Sequence, residues 1–183
     1  YVLSGADTDV DAQISSASGD ILVEAGDDVR QTALIRSTSG DIGIIAAQNV
    51  DQSASGDVTT TSGDILVQAT AGNWTMNADA TITAGGGEVL GLAGTNITLG
   101  VISLTHATTN RVALQAVSGS ITDADLRRVL PELRTLTRLE VRDSPGLLQG
   151  VTREGLKALA TLYQLETLTL EHGGLLVWDK LVI

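Results

Sequence analysis

Four carboxylates recur at nearly even intervals, each preceded by a glycine and followed by an apolar phrase: Asp20, Asp41, Asp64 and Glu88. Stacked in a column they would repel one another unless something compensates. A calcium ion could do so, because it takes carboxylate and backbone oxygens in flexible geometry. The plainer alternative is that an Asp after Gly hydrogen-bonds the backbone of a corner, as in an Asx-turn, and leaves its charge to water. No G-G-x-G-x-D nonapeptide occurs, so an ordered calcium roll is not indicated. No cofactor is expected, and calcium is the one candidate ion. Asp27 with Asp28, and Asp7 with Asp9 and Asp11, have the pairing used in glycoside or uronate chemistry. A catalytic groove of that kind needs basic residues beside its acids, and residues 1–122 supply only Arg30, Arg36 and Arg111. An enzyme is therefore not expected. His106 and His172 share no metal-ligand spacing with a carboxylate cluster.

The elements that position these residues are repeats. SGDILVEA, SGDIGIIAA, SGDILVQA, GGEVLGLA and NRVALQA align on Ile21, Ile42, Ile65, Val89 and Val112, which step by 21, 23, 24 and 23 residues. A second series runs Val29, Val50, Trp74, Ile97 and Ile121, and a third Ile14, Ile35, Val58, Ile82 and Ile102. Each repeat thus carries three short strands separated by turns rich in Gly, Ser, Asp and Asn. Alternation puts Ile21, Val23 and Ala25 on a dry face and Leu22 and Glu24 on the other. One coil cannot bury that face alone. Coils stacked about 4.8 Å apart can, because like residues then form continuous ladders. The fold class is mainly β: a parallel β-helix solenoid, expected to be right-handed, with three strands per coil of about 23 residues. Trp74 replaces Val or Ile of other coils and either fills a widened corner of the core or, if exposed, stacks on a sugar.

Residues 1–122 resemble the β-helical repeats of large bacterial surface proteins, the filamentous-haemagglutinin-like and adhesin-type chains, through phrases such as SGDILVEA and SGDVTTTSGDILVQA. The resemblance implies an extended rod on the cell surface and no family catalytic residues.

Composition shifts near Ile121 to Asp125. Residues 1–122 hold 3 basic and 13 acidic residues, and residues 123–183 hold 8 and 9. PELRTLTRLEV and ATLYQLETLTL superpose, so that Leu133, Leu136, Leu139 and Val141 recur as Leu162, Leu165, Leu168 and Leu170. That is a leucine-rich phrase pairing one strand with one helix. Helices are expected from Leu126 to Leu133, capped by Thr122 or Asp123, and over Arg153 to Ala160 after Thr152. ITDADLRRVL and VTREGLKAL resemble the helix starts of ribonuclease-inhibitor-like leucine-rich repeats, with Asp125 in place of the usual Gly and a loop lengthened by SPGLLQG. The second part, 123–183, would then be an α/β leucine-rich segment that continues or caps the solenoid. Leu175 to Ile183 either begins another unit or closes the stack.

Two surfaces suit recognition. Outward on the third-series sheet, Thr59 and Thr83 follow Ser15 and Arg36, with Thr61 and Thr105 in a parallel row, an array that could meet a glycan; β-branched polar residues are also favoured on any solvated strand. Arg138, Glu140 and Arg142 alternate on one strand and would share the exposed face that leucine-rich repeats turn to protein partners. A mixed solvated face is an equally open reading.

The whole chain of 183 residues has a formal charge of −11, only 2% aromatic residues and no cysteine. Such a charge repels nucleic acid and anionic membranes, and no apolar run is long enough to span a bilayer. The chain starts and stops inside repeats and reads as a segment of something longer, with neighbouring repeats as its first partners. The expected role is a non-enzymatic structural or adhesive segment of an extracellular bacterial surface protein, with a protein- or glycan-binding module as the alternative.

Overall fold

The computed structural model describes residues 1–105, 111–121, 125, 136–143, 165, 167–172 and 175–178. Three sheets wind round one interior. The first is nine-stranded: β1 (Val2–Ser4), β4 (Ile21–Ala25), β7 (Ile42–Ala46), β10 (Ile65–Ala69), β13 (Val89–Ala93), β16 (Arg111–Ala116), β17 (Arg138–Asp143), β18 (Thr167–His172) and β19 (Leu175–Trp178), in that spatial order. The second stacks β2 (Thr8–Val10), β5 (Val29–Gln31), β8 (Val50–Gln52), β11 (Trp74–Met76) and β14 (Ile97–Thr98). The third stacks β3 (Ile14–Ser16), β6 (Ile35–Ser37), β9 (Val58–Thr60), β12 (Thr81–Ala84) and β15 (Val101–Leu104). This is a parallel β-solenoid of five three-stranded coils, and the three apolar series each occupy one register column: Ile21 pairs Ile42, Val29 pairs Val50 and Ile35 pairs Val58.

The interior is built from these columns. Ile35, Ile44, Val50, Val58, Ile82 and Val112 are all fully buried. Trp74 is buried as well, which settles the core-filling reading of that ring. Its neighbour across the interior is Gly91, where a Cβ would fall inside the indole ring, so the bare backbone of β13 makes the room that the aromatic needs.

Polar side chains also line the interior. Gln31 and Gln52 are buried, and Gln52 Nε2 donates to Gln31 Oε1 at 3.0 Å and to the Gly56 carbonyl at 3.1 Å. Trp74 Nε1 closes this column by donating to Gln52 Oε1 at 2.8 Å. Each of these buried groups thus has a partner. Thr8 Oγ1, where the next coils carry Val29 and Val50, is buried with none.

The first sheet crosses the change of repeat type without a break. Val112 pairs Leu139, and Leu139 pairs Leu168, all parallel. Leu136, Leu139, Val141, Leu165 and Leu168 are buried in the same core. Asp125, the departure from the leucine-rich phrase, is buried, and its Oδ1 accepts the Leu99 N–H at 2.9 Å. Asp57 does the same for the Thr81 N–H at 2.8 Å. The substitution therefore extends a solenoid device into the second part. β19 runs antiparallel to β18, so Leu175–Trp178 is not the strand of a further parallel coil but covers the sheet edge. The helices expected over 126–133 and 153–160 lie outside the described residues, and so does His106.

Candidate functional site

The column of Asp20, Asp41, Asp64 and Glu88 forms the corner before the first sheet. Asp20 Oδ1 accepts the Asp41 N–H at 2.9 Å, Asp41 Oδ1 the Asp64 N–H at 2.8 Å, and Asp64 Oδ1 the Glu88 N–H at 2.7 Å. Each of the three aspartates thus fastens one coil to the next through a charge-assisted bond to backbone. The preceding residue must be glycine, because a Cβ at Gly40 or Gly63 would overlap the carbonyl of the glycine one coil below. The hydroxyl three residues before each of these glycines completes the corner. Ser37 Oγ accepts the Gly40 N–H at 2.9 Å and donates to the Gly19 carbonyl at 3.1 Å, and Thr60 repeats both bonds with Gly63 and Gly40. The S-x-S-G-D phrase, with Thr60 in place of the first Ser in one coil, is therefore a structural unit.

A second polar column escapes a reading based on apolar lead positions. Asp28, Asn49, Asn73 and Asn96 stack before the second sheet, and each side-chain oxygen accepts the backbone N–H of the next coil, at 3.0, 2.9, 3.2 and 3.0 Å up to Ser120. Its acidic end holds the one trio of carboxylates among the described residues whose oxygens lie within 4.8 Å of one another, Asp7, Asp27 and Asp28. A guanidinium already binds two of these carboxylates. Arg30 contacts Asp7 at 2.7 Å, Asp28 at 3.1 Å and Asp9 at 3.6 Å, and its hydrogen bond holds the Asp7 carboxyl below the usual range.

The outward face of the first sheet combines charge with apolar side chains. Its corner column does not stop at Glu88. By register it continues through Arg111 and Arg138, so carboxylates at one end give way to guanidiniums at the other. Arg111 bridges Glu88 at 3.3 Å and Glu140 at 3.0 Å. Arg138 and Arg142 reach the same Glu140, at 2.7 and 3.6 Å. Glu140 was expected on an exposed face with Arg138 and Arg142. It does point outward, but its side chain is only 5% exposed, while those of Arg138 and Arg142 are 53% and 45% exposed. Three cations from two coils cover it. Burial pushes the Glu140 carboxyl up, but hydrogen bonds and charge from Arg111 and Arg138 outweigh this and hold it below its usual value. Arg111 was not singled out with this set, although the alignment of NRVALQA under SGDILVEA already places it in the acid column.

Between the two charged ends, Leu22, Ile45, Leu66, Leu90 and Leu92 stand outward and partly exposed. On the third sheet, Thr59 and Thr83 pair in register between Arg36 and Ser103. Thr105 is exposed just past β15, with its N–H on the Ala84 carbonyl at 3.2 Å. Thr59 and Thr83 thus share one outward row with Arg36 and Ser103, and Thr105 lies two residues beyond Ser103, outside that row.

Residues 4–88 match the family model described as Toastrack DUF4097. The match covers less than half of the chain and falls on the coils that carry the S-G-D corners. It does not reach the leucine-rich phrases, and it gives no evidence for haemagglutinin-type adhesins or for ribonuclease-inhibitor-like repeats. No curated protein and no solved structure matches the chain.

Proposed function

We propose that the chain is a non-enzymatic scaffold segment of an extracellular bacterial surface protein, a rod that spaces and presents binding surfaces. The observation that supports this most is the continuity of the first sheet, nine strands long, through two kinds of repeat. A segment whose corner acids, amides and hydroxyls bind the neighbouring coil is organised to set length and stiffness. On this reading the adhesin-like phrases and the leucine-rich phrases serve one purpose: both contribute strands to a shared sheet. Deleting residues 42–64 tests it, because Ile65 then takes the place of Ile42 and Gln31 takes the place of Gln52 beneath Trp74. The expected result is a cooperatively folded chain whose maximum dimension in small-angle scattering is shorter by one strand spacing, about 4.8 Å. Loss of folding in that in-register deletion would overturn the spacer reading.

A second reading is favoured by the exposure of Arg138 and Arg142: the leucine-rich strand face recognises an anionic protein or glycan, with Glu140 fixing the guanidiniums in place. The outward surface that carries Thr59 and Thr83 in one row and Thr105 in the next is the alternative glycan surface. Glycan-array binding that is lost in Arg138→Ala but kept in Thr59→Ala would select the first face, and the converse result would select the second.

A further inference from the structure

We infer that the outward face of the first sheet carries a carboxylate pocket over Ala113, which takes the side chain of an aspartate or glutamate from a partner protein. This pocket presupposes the reading in which the leucine-rich strand face recognises an anionic partner, and it gives that face a defined ligand. By register, Ala113 stands between Leu90 on β13 and Glu140 on β17. Other coils fill the same position with Leu22, Leu66 or Leu90. The small side chain of Ala113 instead leaves a hollow of about 60 Å³. Leu90 and Leu92 wall it on one side, Glu140 and Arg142 on the other, and Arg111 and Gln115 flank Ala113 along β16.

Arg111 brings an unmet donor to this hollow. Its terminal nitrogens are engaged, Nη1 with Glu88 at 3.3 Å and Nη2 with Glu140 at 3.0 Å. Its Nε is buried and has no hydrogen-bond partner among the described residues. Such a donor calls for an acceptor, and bridges to carboxylates on both neighbouring strands hold the guanidinium in place. An oxygen seated in the hollow supplies that acceptor. Charge sets the sign of the ligand: the lining holds Arg111 and Arg142 against Glu140, two cations to one carboxylate, while Glu88 and Glu171 stand outside it. An anion is therefore admitted here although the chain as a whole carries −11. The leucine walls choose among anions. A carboxylate on a methylene stem lays its carbons on Leu90 and Leu92 and turns its oxygens to Arg111. A sulfate or phosphate must press an oxygen against leucine, where it loses water and gains no hydrogen bond. The hydroxyl-bearing ring of a uronate meets the same apolar wall, so the favoured ligand is an acidic side chain of a protein.

Proton–nitrogen correlation spectra of the full chain, read at the assigned arginine Nε–H signals, test the pocket. They are recorded at about pH 6, where carboxylates are ionised, and at a constant ionic strength of about 0.15 M. The probes are propanoate, a blocked peptide with one central glutamate, sulfate and glucuronate. The Arg111 signal should shift saturably with propanoate and with the peptide, and half-saturation by sulfate or glucuronate should need at least about fivefold more ligand. Ala113→Leu, which restores the residue that other coils carry, should remove the shift. If that variant does not fold by circular dichroism, Ala113→Val, well suited to a strand, takes its place under the same requirement. An Arg111 signal that neither propanoate nor the peptide moves, sulfate or glucuronate acting as strongly as propanoate, or an undiminished shift in the filled variant would overturn the pocket. Shifts at Arg138 and Arg142 without one at Arg111 would overturn it and leave the anion-binding face standing, whereas no shift at any of the three with any probe would remove both.

Discussion

Replacing Gln52 by Leu should be among the most damaging single changes in the solenoid, although it exchanges a polar core residue for an apolar one of similar size. Gln52 is buried and holds three partners: Gln31 Oε1 at 3.0 Å, the Gly56 carbonyl at 3.1 Å and Trp74 Nε1 at 2.8 Å. Leucine satisfies none of them. A buried donor or acceptor left without a partner costs about 1–3 kcal/mol, so three of them cost about 3–6 kcal/mol after allowance for partial relaxation. The leucine recovers about 1 kcal/mol by its own burial, which leaves a net loss of about 2–5 kcal/mol against a typical domain stability of about 5–15 kcal/mol. Urea unfolding followed by circular dichroism reads this as a lower midpoint at unchanged slope. The pairwise part is isolated by a cycle with Trp74→Phe: the double variant should be less damaged than the sum of the singles by about 1 kcal/mol or more. A Gln52→Leu chain within about 1 kcal/mol of native, or a cycle with no coupling, would refute the view that the interior polar column is a structural member.

Three further outcomes follow from the same bonds. Asp41→Ala should cost about 1–2 kcal/mol, because the Asp64 N–H loses its acceptor, while Asp41→Asn, which keeps an oxygen there, should cost less than half of that; thermal unfolding of the native chain should not shift between millimolar Ca²⁺ and chelator, since these carboxylates already bind backbone. Glu140 titrates below its reference value of 4.5 in the folded chain, so its contribution is present above about pH 4.5 and is lost as pH falls through the lowered folded value; Glu140→Gln should flatten the acid limb of the stability profile. Thr8→Val should stabilise the chain by about 1 kcal/mol in a urea titration, because it removes a buried hydroxyl without a partner and keeps the shape of the column.

Much of this architecture was legible from residue spacing. A strand alternates its side chains, so Ile21, Ile42, Ile65, Val89 and Val112 declare a register once coils stack, and the columns follow. Trp74 could be placed in the core because it interrupts a column of Val and Ile. Polar columns are harder to see, since Gln52 at an inward position and Gln68 at an outward one look alike until the register is fixed. Asp28, Asn49, Asn73 and Asn96 share the coil spacing but change residue type within the series, which hides the common function of their side-chain oxygen. Glu140 was read as exposed because the residues that bury it come from two strands, and Arg111 lies 29 residues away. The second part was legible as strands, through Leu136, Leu139, Leu165 and Leu168, and as a segment that continues or caps the solenoid, but which sheet its strands join was not, because its period and composition differ from those of the coils.

The continuity of that sheet is the central claim, and hydrogen exchange read by mass spectrometry on the full chain tests it most directly. The account predicts that the amides of Ile65–Ala69, Arg111–Ala116 and Arg138–Asp143 are all protected in water and lose protection together as urea is raised, as strands of one cooperative unit. Unprotected exchange in Arg138–Asp143 while Ile65–Ala69 stays closed would contradict it and make the two repeat types separate bodies.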